Sequence, residues 1–368
     1  MTLTNYWWLL IWMFTGGIIL AAYFPRHRET VCGKNEIRWG IIPAVLLAAP
    51  YIVWAGYRTD MVGDTGAYRA SFHDIPSVWS EIPEYMSTVT KDKGFYRMLA
   101  ILKSIFQMDD VKCFLFIAAF QILVLVWLYR KYSCMYWFSF FLFIASTDYI
   151  SWMHNGMRQF MAVTIALLAT PFMLKKRYVS AILIILLAST MHQSALLLIP
   201  FMLIAQGKPW NKKTILFLLL TMLAIAYVGE FTSLLDNAMQ ETQYANMVSD
   251  WTEWGDDGTN PLRVLIYSIP AILSFIGLRY IEEENNPVLN FCTNMSIITS
   301  GIYLVSMVTS GIFIGRLPIY ASLYGYILLP WEIEHIFAEK SSKLVTVAAV
   351  TAYCGFFYYQ MHMAWNIL

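Results

Sequence analysis

Charge is what this sequence has least of. Only 13% of its 368 residues are Asp, Glu, Lys or Arg, about half the share of roughly 25% carried by soluble domains. A water-soluble globule is therefore excluded. The net charge is +1, and no basic run with interleaved aromatics occurs, so a surface that tracks a nucleic-acid backbone is excluded too. Cysteine is scarce and unpatterned. Cys32, Cys113, Cys134, Cys292 and Cys354 are odd in number and lack CxxC or Cys/His spacing, which argues against a disulfide framework or a zinc site. The flanks of a signal peptide are missing as well. No basic residue precedes the apolar block 5–24, and Arg26, His27 and Arg28 follow it, so the block reads as a retained span with its N-terminus outside. No internal repeat or low-complexity segment is present, and residues 1–368 read as a single membrane domain.

Apolar residues make up 58% of the chain, and its mean hydropathy is +0.54. They fall in blocks of about 16 to 22, enough to cross roughly 30 Å of hydrocarbon at about 1.5 Å per helical residue. The expected fold is all-α and polytopic, with about twelve transmembrane segments at 5–24, 39–57, 111–129, 132–150, 157–174, 178–190, 193–206, 214–229, 262–281, 288–309, 316–337 and 343–360. Two of these, 178–190 and 193–206, reach only about 20 Å each as helices. Charge decides between two half-spans and one long helix. With half-spans, 15 of the 25 basic residues fall in loops on one side, the cytoplasmic side by the positive-inside rule. One long helix would put Lys208, Lys212 and Lys213 outside and the acidic loop inside. Half-spans are therefore expected, with both termini outside and two outer loops, 58–110 and 230–261, that are too long for simple turns. The first is expected to carry a surface helix around Phe95–Phe106. The second is acidic and holds Trp251, Trp254, Asp256 and Asp257.

Polar residues in or beside membrane spans are costly, which makes each a functional candidate. They are Arg58, Asp60 and Asp64; Asp148, His154 and Arg158; His192; and Arg316. Under this topology all lie at or near the outer face. Arg158 opens a span, where it either snorkels to headgroups or offers its planar fork to phosphate oxygens. Arg316 follows Gly315 among apolar residues and carries the same two readings. Arg58 either pairs with Asp60 or Asp64 or serves as a third cation. His192 lies between the half-spans, and a broken helix is tolerated only where its exposed backbone lines a cavity or is covered. An outward-facing polar cavity follows. His192 either satisfies a hydrogen bond there or accepts a proton near neutral pH. Asp64 either caps the short helix after it or contacts sugar hydroxyls or acts as a base. Asp60 and Asp64 are four apart, so they are not the adjacent DxD pair of metal-dependent sugar transfer, and no metal site is expected. A nucleotide-binding loop and a GxSxG elbow are likewise absent.

Four segments together resemble the EpsG-like branch of Wzy-type bacterial exopolysaccharide polymerases. They are Gly56-Tyr57-Arg58 through Asp64 and Tyr68; Asn155-Gly156-Met157-Arg158-Gln159; Met191-His192-Gln193-Ser194-Ala195-Leu196; and Gly315-Arg316 with Tyr320. The resemblance implies a multi-span enzyme of the bacterial cytoplasmic membrane that lengthens polysaccharide from undecaprenyl-pyrophosphate-linked repeat units at the outer leaflet. It implies no metal or cofactor. Its partners would be the lipid-linked oligosaccharide, membrane lipid and other exopolysaccharide assembly proteins, with no nucleic acid. On that reading Arg158, Arg316 and Arg58 bind the pyrophosphate, with His192 as base and Asp64 as second choice. Tyr68, Gln159, Tyr320 and His154 contact sugar. The alternatives are a flippase for the same lipid, a ligase that passes finished glycan to another acceptor, and a membrane acyltransferase.

Overall fold

The computed structural model describes residues 6–31, 34–60, 62–239 and 258–365. Trp251, Trp254, Asp256 and Asp257 of the acidic loop, with Cys32, lie outside the described residues.

The chain is helical throughout, apart from one hairpin. It begins with α1 (Trp7–Tyr23), then β1 (His27–Val31) and β2 (Lys34–Arg38), which pair antiparallel. The all-α expectation omitted this hairpin. It sits in the first basic loop, where Arg130 reaches Glu29 at 2.6 Å. Next come α2 (Ile41–Gly56), α3 (Thr65–Asp74), α4 (Ile82–Thr88), α5 (Lys93–Phe106), α6 (Asp110–Tyr132) and α7 (Tyr136–Ala145). The single turn α8 (Asp148–Ile150) runs into a π-helical turn at Ser151–Asn155 and then α9 (Met157–Leu167). After α10 (Thr170–Leu174) follow α11 (Tyr178–Met191), α12 (Leu198–Ala205), α13 (Lys212–Ala226) and α14 (Val228–Met239). The last run is α15 (Pro261–Ile276), α16 (Leu278–Glu284), α17 (Pro287–Met307), α18 (Ile319–Ser322), α19 (Gly325–Ile336) and α20 (Glu339–Tyr359).

Each expected apolar segment falls on a helix, but the helix lengths do not reproduce twelve full spans. Among the described residues three helices are long and apolar enough to cross a membrane: Asp110–Tyr132, Pro287–Met307 and Glu339–Met363. Two bent pairs raise the number to five. They are Lys212–Ala226 with Val228–Ala238, bent by 105°, and Pro261–Ile276 with Leu278–Glu284, bent by 72°. The other apolar helices, such as Trp7–Tyr23 and Ile41–Gly56, are 10 to 17 residues long. Glycine bounds α2 at Gly40 and α15 at Gly277, and such breaks carry the backbone out of a helix at little steric cost. This remains the architecture of a helical membrane protein.

The chain divides into two compact units. Unit 1 comprises residues 1–172, 177–196 and 338–368; unit 2 comprises 173–176 and 197–337. In unit 1, α6 packs against α2 and α9. Its interior is aromatic. Tyr51 stands edge-on to Phe140 and Tyr149, at 5.4 and 5.5 Å, and its hydroxyl donates to the Leu9 carbonyl at 2.5 Å. Such pairs add about 0.5–1.5 kcal/mol each beyond the area they bury. In unit 2, α17 is the central helix, buried along almost its whole length, with α12, α13, α15 and α19 around it. Its polar side chains are turned onto backbone: Ser296, Thr299 and Ser300 each donate to a carbonyl one turn earlier.

Candidate functional site

Unit 1 holds Arg58, Asp64, Tyr68, His154, Arg158, Gln159 and His192; unit 2 holds Arg316 and Tyr320. Within unit 1 the expected residues separate into a surface cluster and a buried layer behind it.

Arg158 centres the cluster. It lies in the first turn of α9, after Gly156 closes the π-helical turn. Its side chain is about a third exposed, and one guanidinium nitrogen donates to Asp92 at 2.9 Å. The Asp92 side chain is only 4% exposed, and its backbone is left-handed, φ 50°, at the start of α5. Tyr96, one turn along α5, places its ring 6.0 Å from the same guanidinium. Tyr68 of α3 also meets Arg158 through its hydroxyl. Burial, the largest influence, raises the Tyr68 hydroxyl above the ordinary phenol range, against the pull of Arg158. Tyr68 therefore stays neutral.

Asp64 does not cap its helix. Although it stands at the N-cap of α3, its side chain makes no capping bond there. It faces Asn155 instead, whose amide nitrogen donates to both carboxylate oxygens at 3.1 Å when turned toward them. Gly63 makes this approach possible. Its φ is +57°, and a Cβ there would lie 2.9 Å from the Asn155 Cβ. Tyr68 donates to the Asn155 carbonyl at 3.4 Å. Asp64 is exposed, which leaves its carboxylate open to a ligand.

Arg58 and His154 lie behind this surface. Arg58 is 3% exposed. It donates to the carbonyls of Ala55 and Met153, the latter at 2.5 Å, and stacks on the Phe114 ring at 4.8 Å. Burial brings its guanidinium down to about 10. It is not paired with Asp60 or Asp64, because Arg69 takes Asp60 and also reaches Asp110 at 2.5 Å. His154 is 2% exposed and stands edge-on to Tyr149 at 5.6 Å, and neither ring nitrogen has a hydrogen-bond partner among the described residues. Burial, and then the Arg58 charge, holds it well below the usual histidine range. Gln159 is also buried, at 5%.

The helix does break at His192. Its backbone is extended, φ −158° and ψ 123°, between α11 and a 3₁₀ segment at Gln193–Leu197. The break strands no backbone group at this residue. Its amide donates to the Ala188 carbonyl at 3.3 Å, and its carbonyl accepts from Ala195 at 3.1 Å. The ring Nδ1 meets Ser194 Oγ at 2.7 Å, which orients the ring. Gly94 of α5 packs directly on Thr190. The end of α11 therefore meets the start of α5, two residues beyond Asp92. In unit 2, Arg316 ends a 3₁₀ turn, Ile314–Arg316, half-buried, while Tyr320 in α18 is 1% exposed.

Sequence reasoning missed Asp92 and Tyr96 and gave Asn155 no role. Asp92 lies between Lys91 and Lys93 and reads as part of a solvated run. Asn155 stands at the head of the Asn155–Gln159 segment but carries no role of its own in the sequence. Among the described residues no group of three or more His, Cys, Asp or Glu is placed to hold a metal.

No curated protein and no solved structure matches this chain. A family model does. It matches residues 41–366, which include the surface cluster, the buried layer, the break at His192 and the Arg316 turn, and the chain belongs to the EpsG family.

Proposed function

We propose that this protein is a polysaccharide polymerase that joins oligosaccharide repeat units carried on a polyprenyl pyrophosphate, at the outer face of the bacterial cytoplasmic membrane. One observation carries the reading. Arg158, held by Asp92 and faced by Tyr68, shares a surface of unit 1 with the exposed carboxylate of Asp64. A cation beside a base or sugar-binding carboxylate is what transfer from a glycosyl pyrophosphate requires.

In the reaction an acceptor hydroxyl oxygen bonds to the anomeric carbon, the bond from that carbon to the pyrophosphate oxygen breaks, and the hydroxyl proton passes to a base. The transition state is oxocarbenium-like. The pyrophosphate leaves with its electron pair, so the protein's main task is to stabilise the departing charge, which a guanidinium does through charge-assisted hydrogen bonds. Arg158 takes that role, and Arg316 is the second phosphate-binding candidate, in unit 2. His192, oriented by Ser194, is the first candidate base and Asp64 the second. Tyr68 orients sugar hydroxyls. Arg58, His154 and Gln159 shape the layer behind the site.

Incubation of the purified full chain with the lipid-linked repeat unit tests the reading. A polymerase yields a ladder of glycan lengths, a flippase none, and a ligase a single transfer to a foreign acceptor. Arg158→Ala and Arg316→Ala are each expected to nearly abolish the ladder. Wild-type chain lengths in both would overturn the proposal.

A further inference from the structure

Unit 2 contains a groove that no residue of the cluster above uses. Its volume is about 520 Å³, and its lining is almost wholly apolar. Two facing stripes build it. On α15 they are Val264, Ser268, Ala271 and Phe275, spaced at three and four residues; on α17, Ile297, Ser300, Leu304 and Met307 follow the same spacing. Residues so spaced share one helix face. Ser300 adds no free polarity, because its hydroxyl donates to the Ser296 carbonyl.

The groove runs from Trp210 to the N-terminal end of α15. Trp210 lines one end, its ring 5.1 Å from Phe275 and its indole nitrogen donating to Ser274 at 3.0 Å. The opposite end lies at Pro261 and Met307. There Thr259 donates from its amide to the Ser306 carbonyl at 2.9 Å, and a Cβ on Gly258 would sit 2.6 Å from the Met307 carbonyl. The turn that bears Arg316 packs on this same corner, since a Cβ on Gly315 would lie 2.5 Å from Thr259 Oγ1. Arg263 sits in the first turn of α15, whose positive end faces the same way.

Length and width select the occupant. Pro261 to Ile276 spans about 22 Å along α15, and Ile297 to Met307 about 15 Å along α17. A volume of about 520 Å³ over those lengths gives a mean cross-section of roughly 24 to 35 Å². One hydrocarbon chain, with carbon contacts at about 4 Å, needs roughly 20 Å²; two need roughly twice that. The groove admits a single chain with room for methyl branches.

We infer that this groove holds the isoprenoid chain of a polyprenyl phosphate, with the phosphate at Arg316 and the chain running from Pro261 toward Trp210. The inference rests on the lipid-phosphate reading above and gives it a tail site. Full-length protein in vesicles of phosphatidylethanolamine and phosphatidylglycerol is irradiated with a polyprenyl monophosphate bearing a diazirine at its chain end, and the labelled peptides are mapped. Label is expected on α15 and α17. Excess unlabelled polyprenyl phosphate should displace it, and the same excess of phosphatidylglycerol should not. Ala271→Phe and, as a milder filling, Ser268→Leu should each cut labelling about tenfold without lowering the thermal midpoint, and Arg316→Ala should weaken the competition by the phosphate. Equal displacement by phosphatidylglycerol makes the groove a general lipid site and overturns the inference. So does label on another helix or on residues 240–257, or full labelling of Ser268→Leu. Groove labelling without a glycan ladder would sink the polymerase while the tail site stands. A ladder with an unlabelled groove would do the reverse.

Discussion

Asp92 and Arg158 make the sharpest test of how the cluster works, because in the double variant stability should recover while activity should not. Arg158 is about a third exposed and Asp92 only 4%, with 2.9 Å between them. Arg158→Ala removes the proposed stabiliser of departing charge. Loss of one such donor costs about 10²- to 10³-fold in kcat, roughly 3–4 kcal/mol. It also leaves the Asp92 carboxylate buried without its cation, at about 1–3 kcal/mol of stability. Asp92→Asn keeps an acceptor for the guanidinium but loses the charge that orients it, and polymerisation should fall about tenfold, or about 1.4 kcal/mol. In the double variant the two losses should not add. With Arg158 gone, Asp92 has nothing to orient, so Arg158→Ala with Asp92→Asn should polymerise like Arg158→Ala alone, a coupling of about 1.4 kcal/mol. Its thermal midpoint, however, should recover toward wild type, because the stranded charge is gone. Initial rates of ladder formation and midpoints in detergent, measured on the four proteins, complete the cycle. If Asp92→Asn lowers the rate by the same factor whether or not Arg158 is present, the positioning argument is wrong.

Three further outcomes follow from single sites. Gly63→Ala should lower stability by about 1–2 kcal/mol, because a non-glycine residue at φ +57° is strained and the new Cβ meets Asn155 at 2.9 Å; an unchanged thermal midpoint would show that the Asp64 turn moves freely. His154 should make the fold acid-sensitive. The folded chain keeps its ring neutral, since burial and Arg58 hold its pKa well below 6.5, whereas the unfolded chain takes up a proton near 6.5. Stability therefore falls as pH drops below about 6.5, by up to about 1.4 kcal/mol per unit, with no contribution at higher pH. The midpoint of His154→Gln relative to wild type should accordingly rise between pH 7 and pH 5, and a difference that stays constant would refute this. Glu332 of α19 is fully buried, and neither carboxyl oxygen has a hydrogen-bond partner among the described residues. Replacing an unpartnered buried carboxyl with an apolar side chain of similar size is favourable, so Glu332→Met should raise the midpoint; a fall would mean that Glu332 carries a partner when the protein sits in a bilayer.

What the sequence made legible depends on the range of the interaction. Helix positions were readable because a long apolar block has few ways to satisfy its backbone other than as a helix, and every expected segment falls on one. The break at His192 was readable from a different signal, the side on which lysines and arginines fall, and the extended backbone at that residue matches it. Helix lengths were not readable, since the 72° bend after Ile276 and the 105° bend after Ala226 follow from packing rather than composition. The hairpin at His27–Arg38 was hidden by its short, mostly polar strands.

The same distinction explains the site. Arg158, Asp64 and Tyr68 stood out because charge and aromatic hydroxyls beside apolar blocks are conspicuous. Their partners did not, because Asp92 lies 66 residues from Arg158 and Asn155 about 90 from Asp64, at distances where no local pattern operates. Arg58 shows the converse error that sequence invites. A cation next to a span looks available to ligand, but its donors are directed at backbone carbonyls and its charge at the Phe114 face. That burial has a functional consequence. Burial, and then the fixed positive charge of Arg58, hold the His154 ring neutral, so of the two histidines near the cluster His154 is the poorer candidate base. If His154→Gln leaves polymerisation unchanged while His192→Gln lowers the rate at least a hundredfold, roughly what loss of a general base costs, the base is His192. Equal losses in the two variants would return that role to Asp64.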